Sequence, residues 1–409
     1  MSLTNKRIAI VGGGISGLMA GYLLAKREAR VTVFEKEKEL GGLLGDFEMS
    51  GKRLEKAYHH IFKTDKSAIR LIKELGLEEK LEWHESNVGL YWEGKMYPFV
   101  TPMDLLKFKP LPFLDKIRTG LVALYLQKDK NWEKFEKVPA YEWMKKWAGR
   151  NAYRVIWEPL LRGKFHDRFE DVSMAWLWAR IHTRVGSKND KGHEELGYLN
   201  GGFGQITERL AKFIKEHKGR IKLNYQIMDG HNGPSLQELE NKYDFVIDTR
   251  PAKAVDYLGA VDVVFSSKQN LSPYYWHNIN DINSPFLAFI QHTNLVDKKQ
   301  YGGKNIYYMG AYVPQNHKYF GATDKTITNE FFDYLKKIFP DFRSEKVLET
   351  KVFKMKYAQH IVDLKYRSKI PPYKQSEKVF NLNFAQIFPE DRGINYAVKE
   401  ARKVEEMIR

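Results

Sequence analysis

The sequence predicts an α/β fold in which one parallel sheet is assembled from separated stretches of chain. Three observations carry that expectation. A β-branched run, Arg7 to Val11, stops at Gly12-Gly13-Gly14-Ile15-Ser16-Gly17 and passes straight into apolar spacing of helical period, Leu18 to Ala25. A second short run, Val31 to Phe34, ends in an acid, Glu35. Further glycine turns recur far downstream, at Gly201-Gly202-Phe203-Gly204 and at Gly393, each ahead of another helical pattern.

Strand, glycine turn, helix, second strand and terminal acid together read as one Rossmann-like dinucleotide-binding unit. Gly12 permits the tight turn, Gly14 lets a pyrophosphate approach the backbone, and Gly17 lets helix and strand pack closely. The N–H groups around Ile15 and Ser16, with the positive end of the helix dipole, face the phosphates. Glu35, followed by Lys36, stands where a carboxylate accepts hydrogen bonds from ribose hydroxyls and repels a 2′-phosphate, which disfavours NADP. NAD and FAD both remain open on this unit alone.

The rest of the chain follows in order. Leu40-Gly41-Gly42-Leu43 is a second glycine-rich loop, and Tyr58-His59-His60-Ile61-Phe62 precedes an amphipathic helix from Ser67 to Leu77. From Thr101 to about Val185 the pattern is mainly helical and rich in tryptophan. The turn at Gly201 opens a helix to about Glu216, and a strand pair follows, Arg220 to Gln226 and Phe245 to Thr249. Residues 262–360 hold strand-like runs at Phe286 to Gln291 and Asn305 to Tyr312, then a helix from Asn329 to Phe339; the chain closes on a strand, Val379 to Asn383, and a helix, Asn395 to Ile408. Nucleotide-site signals at the start, middle and far end imply a discontinuous cofactor domain, 1–85, 195–255 and 375–409. The inserted segments, 86–194 and 256–374, form a substrate domain: a mixed sheet plus a helical, tryptophan-rich insert over 102–185.

Composition bounds the classes. At 409 residues the chain exceeds a single core, and 43% apolar with 14% aromatic residues indicates large packed interiors. There is no cysteine, which excludes disulfides and thiolate chemistry and fits a reducing compartment. Lys6 and Arg7 lead directly into the first strand, so no signal peptide is expected, and no apolar run approaches the ~20 residues of a membrane span. The expected location is cytoplasmic, with peripheral contact at the inner membrane face left open. The formal charge of +16 comes from scattered lysines, not from a nucleic-acid-binding stripe. It suits a small anionic substrate or a phospholipid headgroup; nucleic acid is not expected, and the oligomeric state is not readable.

These segments, in this order over nearly the whole chain, resemble the flavin amine oxidase, protoporphyrinogen oxidase and phytoene desaturase superfamily. The resemblance implies FAD as the tight cofactor. It assigns Leu40-Gly41-Gly42 to the loop after the fingerprint, where Leu43 replaces the family's common arginine. It takes Tyr243 to Pro251 as the strand returning to the cofactor, with Thr249 and Pro251 in contact, and places the backbone from Tyr225 to Ile227 against adenine. The strongest part is Phe384 to Ala397, similar to the stretch whose amides meet flavin and pyrophosphate. There Arg392, Gly393, Ile394 and Asn395 offer N–H groups at a helix start; a small-residue pair often found a turn later is here Glu400-Ala401. The implied activity is hydride transfer from an unidentified organic substrate to flavin N5.

For chemistry, His59 and His60 lie in a loop that in such flavoenzymes runs near the flavin, and one of the two is expected to face it. Lys164 is a candidate because amine oxidase relatives often hold a water on a lysine. Trp176 and Arg180, four apart, share a helix face and could hold a ring against an anionic group. His292 ends a central strand and could reach the pocket; Asn87 to Lys95 and Tyr301-Gly302-Gly303 read as hairpins on the substrate side. Tyr396 falls where an amine-oxidase cage sometimes places an aromatic, without an evident partner. No metal constellation, phosphate-loop lysine or nucleophile elbow is present. The alternative is a non-redox sugar-nucleotide mutase, because Ala57 to Asp65 resembles the histidine loop of UDP-galactopyranose mutase; a flavin-binding protein without activity is a third reading.

Overall fold

The computed structural model describes residues 2–185, 187, 193–228 and 234–408. The chain opens with β1 (Arg7–Val11), α1 (Ile15–Lys26) and β2 (Arg30–Phe34), then α2 (Lys66–Glu74) and a hairpin of β3 (Val88–Trp92) and β4 (Lys95–Pro98). A helical stretch follows: α3 (Pro102–Lys107), α4 (Phe113–Lys128), α5 (Ala140–Trp147), α6 (Glu158–Phe165) and α7 (Met174–Val185). The chain then returns through α8 (Gly204–Glu216), β5 (Arg220–Lys222), α9 (Leu236–Lys242) and β6 (Phe245–Asp248). It leaves again for β7 (Tyr257–Ser267), β8 (Trp276–Ile279), β9 (Ala288–Gln291), β10 (Asn305–Pro314), α10 (Asp324–Ile338) and β11 (Val347–His360), and closes on β12 (Val379–Asn381) and α11 (Ile394–Met407).

Among the described residues, five strands form an all-parallel sheet in the order β5-β2-β1-β6-β12. Its strands come from three distant parts of the sequence, as the glycine signals imply. Both faces are covered, which is why β1 and β2 read as near-continuous apolar runs, interrupted only by the buried Thr32. Ile8, Ile10, Val31 and Val33 pack with Leu18, Leu24, Ile214 and Val398 from α1, α8 and α11. Ala9, Val11, Phe34 and Val246 meet Ile227 and Leu239 on the other side. A Cβ on Gly17 would stand 2.1 Å from the Gly12 carbonyl oxygen, so only glycine lets α1 lie this close to the first turn.

The second sheet, seven strands among the described residues, has the order β11-β7-β10-β9-β8-β3-β4 and is antiparallel except where β8 meets β3. One face packs on α10 through Phe265, Phe289, Phe331 and Leu335. The helices α4 to α7 form a separate cluster around Leu126, Met144, Phe165 and Trp176.

Several expectations shift. The segments Arg220 to Gln226 and Phe245 to Thr249 are not a pair: β5 lies against β2 and β6 against β1, on opposite sides of the two first strands. The long strands β7 and β11 went unnamed in the sequence for opposite reasons. β7 is buried at every position, so it shows no alternation, and β11 is a half-exposed edge strand carrying lysine and glutamate. The helix expected from Asn329 starts at Asp324, because Thr323 accepts a hydrogen bond from the Thr326 amide and caps it.

Candidate functional site

A continuous cleft of about 1800 Å³ runs between the two sheets, from the carboxyl ends of β1 and β2 to β7, β10 and the helical insert. At one end two glycine loops lie back to back. Gly12 has φ +107°, and a Cβ there would meet Thr249 Oγ1 at 2.1 Å. The Gly41 amide donates to the Gly13 carbonyl at 2.9 Å, and a Cβ on Gly42 would press the Gly14 backbone at 3.3 Å. α1 begins behind this cradle with Gly14 at its N-cap, no side-chain cap and no acid in its first turn. α11 begins on the same cleft at Gly393, again without a side-chain cap or first-turn acid. Two uncapped helix N-termini thus present unpaired N–H groups and positive dipole ends to one cavity, which suits an anionic bridge between them.

Glu35 closes this end. It is buried, and its two carboxylate oxygens accept from the Gly13 amide at 2.6 Å and the Glu37 amide at 2.9 Å. The carboxylate is therefore fixed in orientation by backbone while bordering the cleft beside Lys36. Tyr225 and Ile227 form the adjoining wall, the Tyr225 amide donating to the Glu35 carbonyl at 2.8 Å. Thr249 Oγ1 donates to the Val11 carbonyl at 2.7 Å, and Pro251 follows on the same wall. Ile15, Ser16, Gly42, Leu43, Ile394 and Asn395 also border the space. Gly17 and Gly41 do not; they shape it from behind. Asn395 also braces the fold, since its Oδ1 accepts from the Ser67 and Ala68 amides at 2.9 and 3.3 Å and so ties α11 to the start of α2.

The other end carries the titratable groups. Lys164 on α6 is 2% exposed, and its Nζ donates to Asp391 Oδ2 at 2.5 Å. Arg180 on α7 donates to the same oxygen at 3.1 Å, and Arg392 stands 3.9 Å from Oδ1. Arg392 also donates to Gln359 Oε1 at 2.5 Å and Tyr312 at 3.1 Å. Burial lowers the Lys164 ammonium to about 7, with Asp391 opposing and the two arginines adding to the fall. For Asp391, burial acts upward, yet Lys164, Arg392 and Arg180 outweigh it and hold the carboxyl well below its usual range. Asp262 on β7 borders the same space and is raised to about 7 by burial, with Arg392 opposing. Gly310, its ladder partner, makes room for that carboxyl, since a Cβ there would lie 3.0 Å from Oδ1.

The adjacent histidines diverge, and both border the cleft. His59 Nδ1 lies 2.6 Å from the Ala57 carbonyl, which fixes the tautomer with Nδ1–H donating and Nε2 basic. Burial, with Arg392 nearby, lowers His59 to about 4, so it is neutral at pH 7. His60 Nδ1 is 3.3 Å from the Tyr275 hydroxyl, with its ring among Phe62, Tyr58 and Trp276.

Three candidates fall elsewhere. His292 does not reach the pocket: it is fully buried, Nε2 bonded to Tyr301 at 2.7 Å, because the chain turns inward after β9. Trp176 is core, edge-on to Phe165, and only Arg180 of that pair meets the cleft; the indole instead backs the cations, 5.0 Å from Lys164 Nζ. The Asn87 to Lys95 hairpin and the Tyr301 turn belong to the far strands of the second sheet and its connections and do not border the cleft. Tyr396 does border it. Asp262, Tyr312 and Gln359 carry no functional pattern in the sequence, and Asp391 lies unmarked within the segment from Phe384 to Ala397. The one signal for Asp262 is its place as a lone acid inside Val261-Asp262-Val263-Val264-Phe265.

This cleft belongs to a known class. The family of flavin containing amine oxidoreductases matches over residues 15–282, and the chain belongs to that family. Among relatives, flavin-containing amine oxidase A of Equus caballus is 29% identical over 242 residues, 54% of this chain and 44% of that protein. The chain spans about half the length of the curated relatives it matches. Among solved structures, a putative protoporphyrinogen oxidase from Exiguobacterium sp. 255-15 superposes with a TM-score of 0.77 at 18% identity, covering 100% of this chain and 99% of that one. Reduced UDP-galactopyranose mutase gives 0.73 at 14% identity, covering 98% and 96%. FAD is the cofactor of this family, and the residues fit it: a glycine cradle, a carboxylate held by backbone amides at the cleft edge and two uncapped helix N-termini along one cavity.

Proposed function

We propose that the protein is an FAD-dependent oxidoreductase that removes a hydride from a small organic substrate bearing an anionic group. The observation that carries this reading is the convergence of Lys164, Arg180 and Arg392 on one carboxylate, Asp391, at the cleft wall. Such a site favours a bound carboxylate or phosphate and any negative charge that develops beside it. When bound, FAD supplies the two-electron redox capacity. Arg180 and Arg392 orient the anion, Lys164 holds or releases a proton at Nζ near neutral pH, and His59 offers a neutral acceptor at Nε2. Tyr312, Trp276 and Leu287 give the cavity apolar walls that exclude water from the reacting bond.

A second reading, a non-redox sugar-nucleotide mutase, is favoured by one point: the same cations would also take a diphosphate, beside the loop from Tyr58 to Phe62. Anaerobic mixing of the FAD-loaded protein with a panel of amines, carboxylic acids and sugar nucleotides separates the two. Loss of the oxidised-flavin absorbance with substrate alone is expected. Turnover only after dithionite reduction, with no net electron transfer, would replace the oxidoreductase reading by the mutase.

A further inference from the structure

α4 is apolar on two faces. Thr119, Val122 and Leu126 point into the helical cluster. Phe113, Leu114, Ile117, Leu121, Leu124 and Tyr125 form a stripe on the outside, spaced three and four apart, and are 40–75% exposed. α3 lies against α4, Lys116 Nζ reaching the Leu106 carbonyl at 2.8 Å, and extends the stripe with Met103 and Leu106. Of the fifteen large hydrophobic side chains exposed among the described residues, nine lie between Met103 and Trp147. Scattered apolar side chains on a surface need no explanation, but a contiguous helical stripe of this size marks an interaction site.

The exposed charges of α3, α4 and the turn between them are basic, while the neighbouring α5 carries the exposed Glu142 as well as its lysines. Lys107, Lys109 and Lys128 are exposed at its ends and edges, and Lys145 and Lys146 flank Trp147 beside it, where Arg118 binds the Lys146 carbonyl at 2.7 Å. The two acids within α3 and α4 are turned to internal partners. Asp104 caps α3 by accepting from the Thr101 amide at 2.8 Å, and Asp115 accepts from Asn151 at 2.8 Å. An apolar face rimmed by lysines, with exposed tyrosine and tryptophan, is complementary to an anionic bilayer interface: side chains enter the acyl boundary while lysines meet phosphate. No helix among the described residues is long and apolar enough to cross a membrane, so α4 would lie flat. Its last turn, at Gln127, walls a side cavity of about 410 Å³ that shares Ala179, Thr183 and Tyr396 with the main cleft.

We infer that α3 and α4 dock the protein on the surface of an anionic phospholipid membrane, independently of which reaction the cleft performs. The test is cosedimentation of the FAD-loaded protein with vesicles of phosphatidylglycerol and phosphatidylcholine in equal parts. Wild type should pellet with them, less with phosphatidylcholine alone and less as salt rises. Leu114→Ser with Leu121→Ser should weaken vesicle partitioning about tenfold or more, with flavin content and flavin reduction unchanged. No binding to anionic vesicles, or equal binding by the variant, overturns the inference. So does a dimer in sedimentation velocity that the double variant dissociates while lipid binding is absent, since the occupant is then a second copy.

Discussion

Replacing Asp391 by asparagine removes the carboxylate shared by Lys164, Arg180 and Arg392 while keeping the side chain's shape. Lys164 Nζ lies 2.5 Å from it. At an effective dielectric suited to protein interiors, the bare attraction at that distance is roughly 6–7 kcal/mol. Burial already lowers Lys164 to about 7 with the carboxylate present. Without it burial and the neighbouring arginines lower the amine further still, and near neutral pH the variant sheds that proton instead of burying an unpaired charge. The arginines cannot do so, and their loss of a partner leaves a stability gap on the order of 2–4 kcal/mol. The sign of the pH dependence follows. Both unfolded chains hold the lysine proton alike, but below about 7 only the wild-type native state still binds it. The gap between wild type and variant therefore widens by about 1.4 kcal/mol between about pH 8 and about pH 6. Urea unfolding followed by tryptophan fluorescence, at fixed excess FAD and both pH values, measures it. A gap that is constant, or larger at the higher pH, refutes the claim that Asp391 sustains the charge on Lys164.

Three further outcomes are expected. Gly12→Ala puts a Cβ at φ +107° against Thr249 Oγ1, so it should cost about 2–4 kcal/mol locally and yield protein with little bound flavin, read as the flavin-to-protein ratio. Glu55, fully buried and accepting from the Phe203 amide at 2.6 Å, is raised by burial to about 7; its contribution favours the folded state below the ordinary carboxyl range and is lost as pH rises through 7. Glu55→Gln should thus gain on wild type by up to about 3 kcal/mol in urea midpoints on going from about pH 5 to about pH 8, and an unchanged difference would count against it. Asn395→Ala should lose about 1–2 kcal/mol of unfolding free energy by uncapping α2, whereas Asn395→Asp keeps the acceptor and should lose less.

The glycine turns were legible because backbone that approaches a ligand or another strand leaves only glycine as an option. Gly12 against Thr249 and Gly14 against Gly41 turn that local signal into a contact between distant segments. The parallel sheet was legible for a similar reason: strands buried on both faces leave near-continuous apolar runs beside each turn. What resisted reading was side-chain direction. His292 and Trp176 sit in patterns that suit either a pocket or a core, and only the packing of Tyr198, Tyr301 and Phe165 around them decides for the core. Asp262 stood out as a lone acid in an apolar run, but β7 lacks the alternation that would tell which way it faces, and the convergence of Lys164, Arg180 and Asp391 spans more than two hundred residues of sequence. The outward stripe of α4 was invisible as a surface, since a helix apolar all round reads first as core.

The most direct test of an anion-taking oxidoreductase site uses whichever acid bleaches the flavin and its methyl ester. Under anaerobic mixing, the free acid should reduce the flavin about a hundredfold or more faster than the ester, because the ester brings no anion to the cations gathered around Asp391. That advantage should shrink in Arg180→Gln. Equal rates for acid and ester, or an oxidised-flavin spectrum that no substrate bleaches without dithionite, would contradict it.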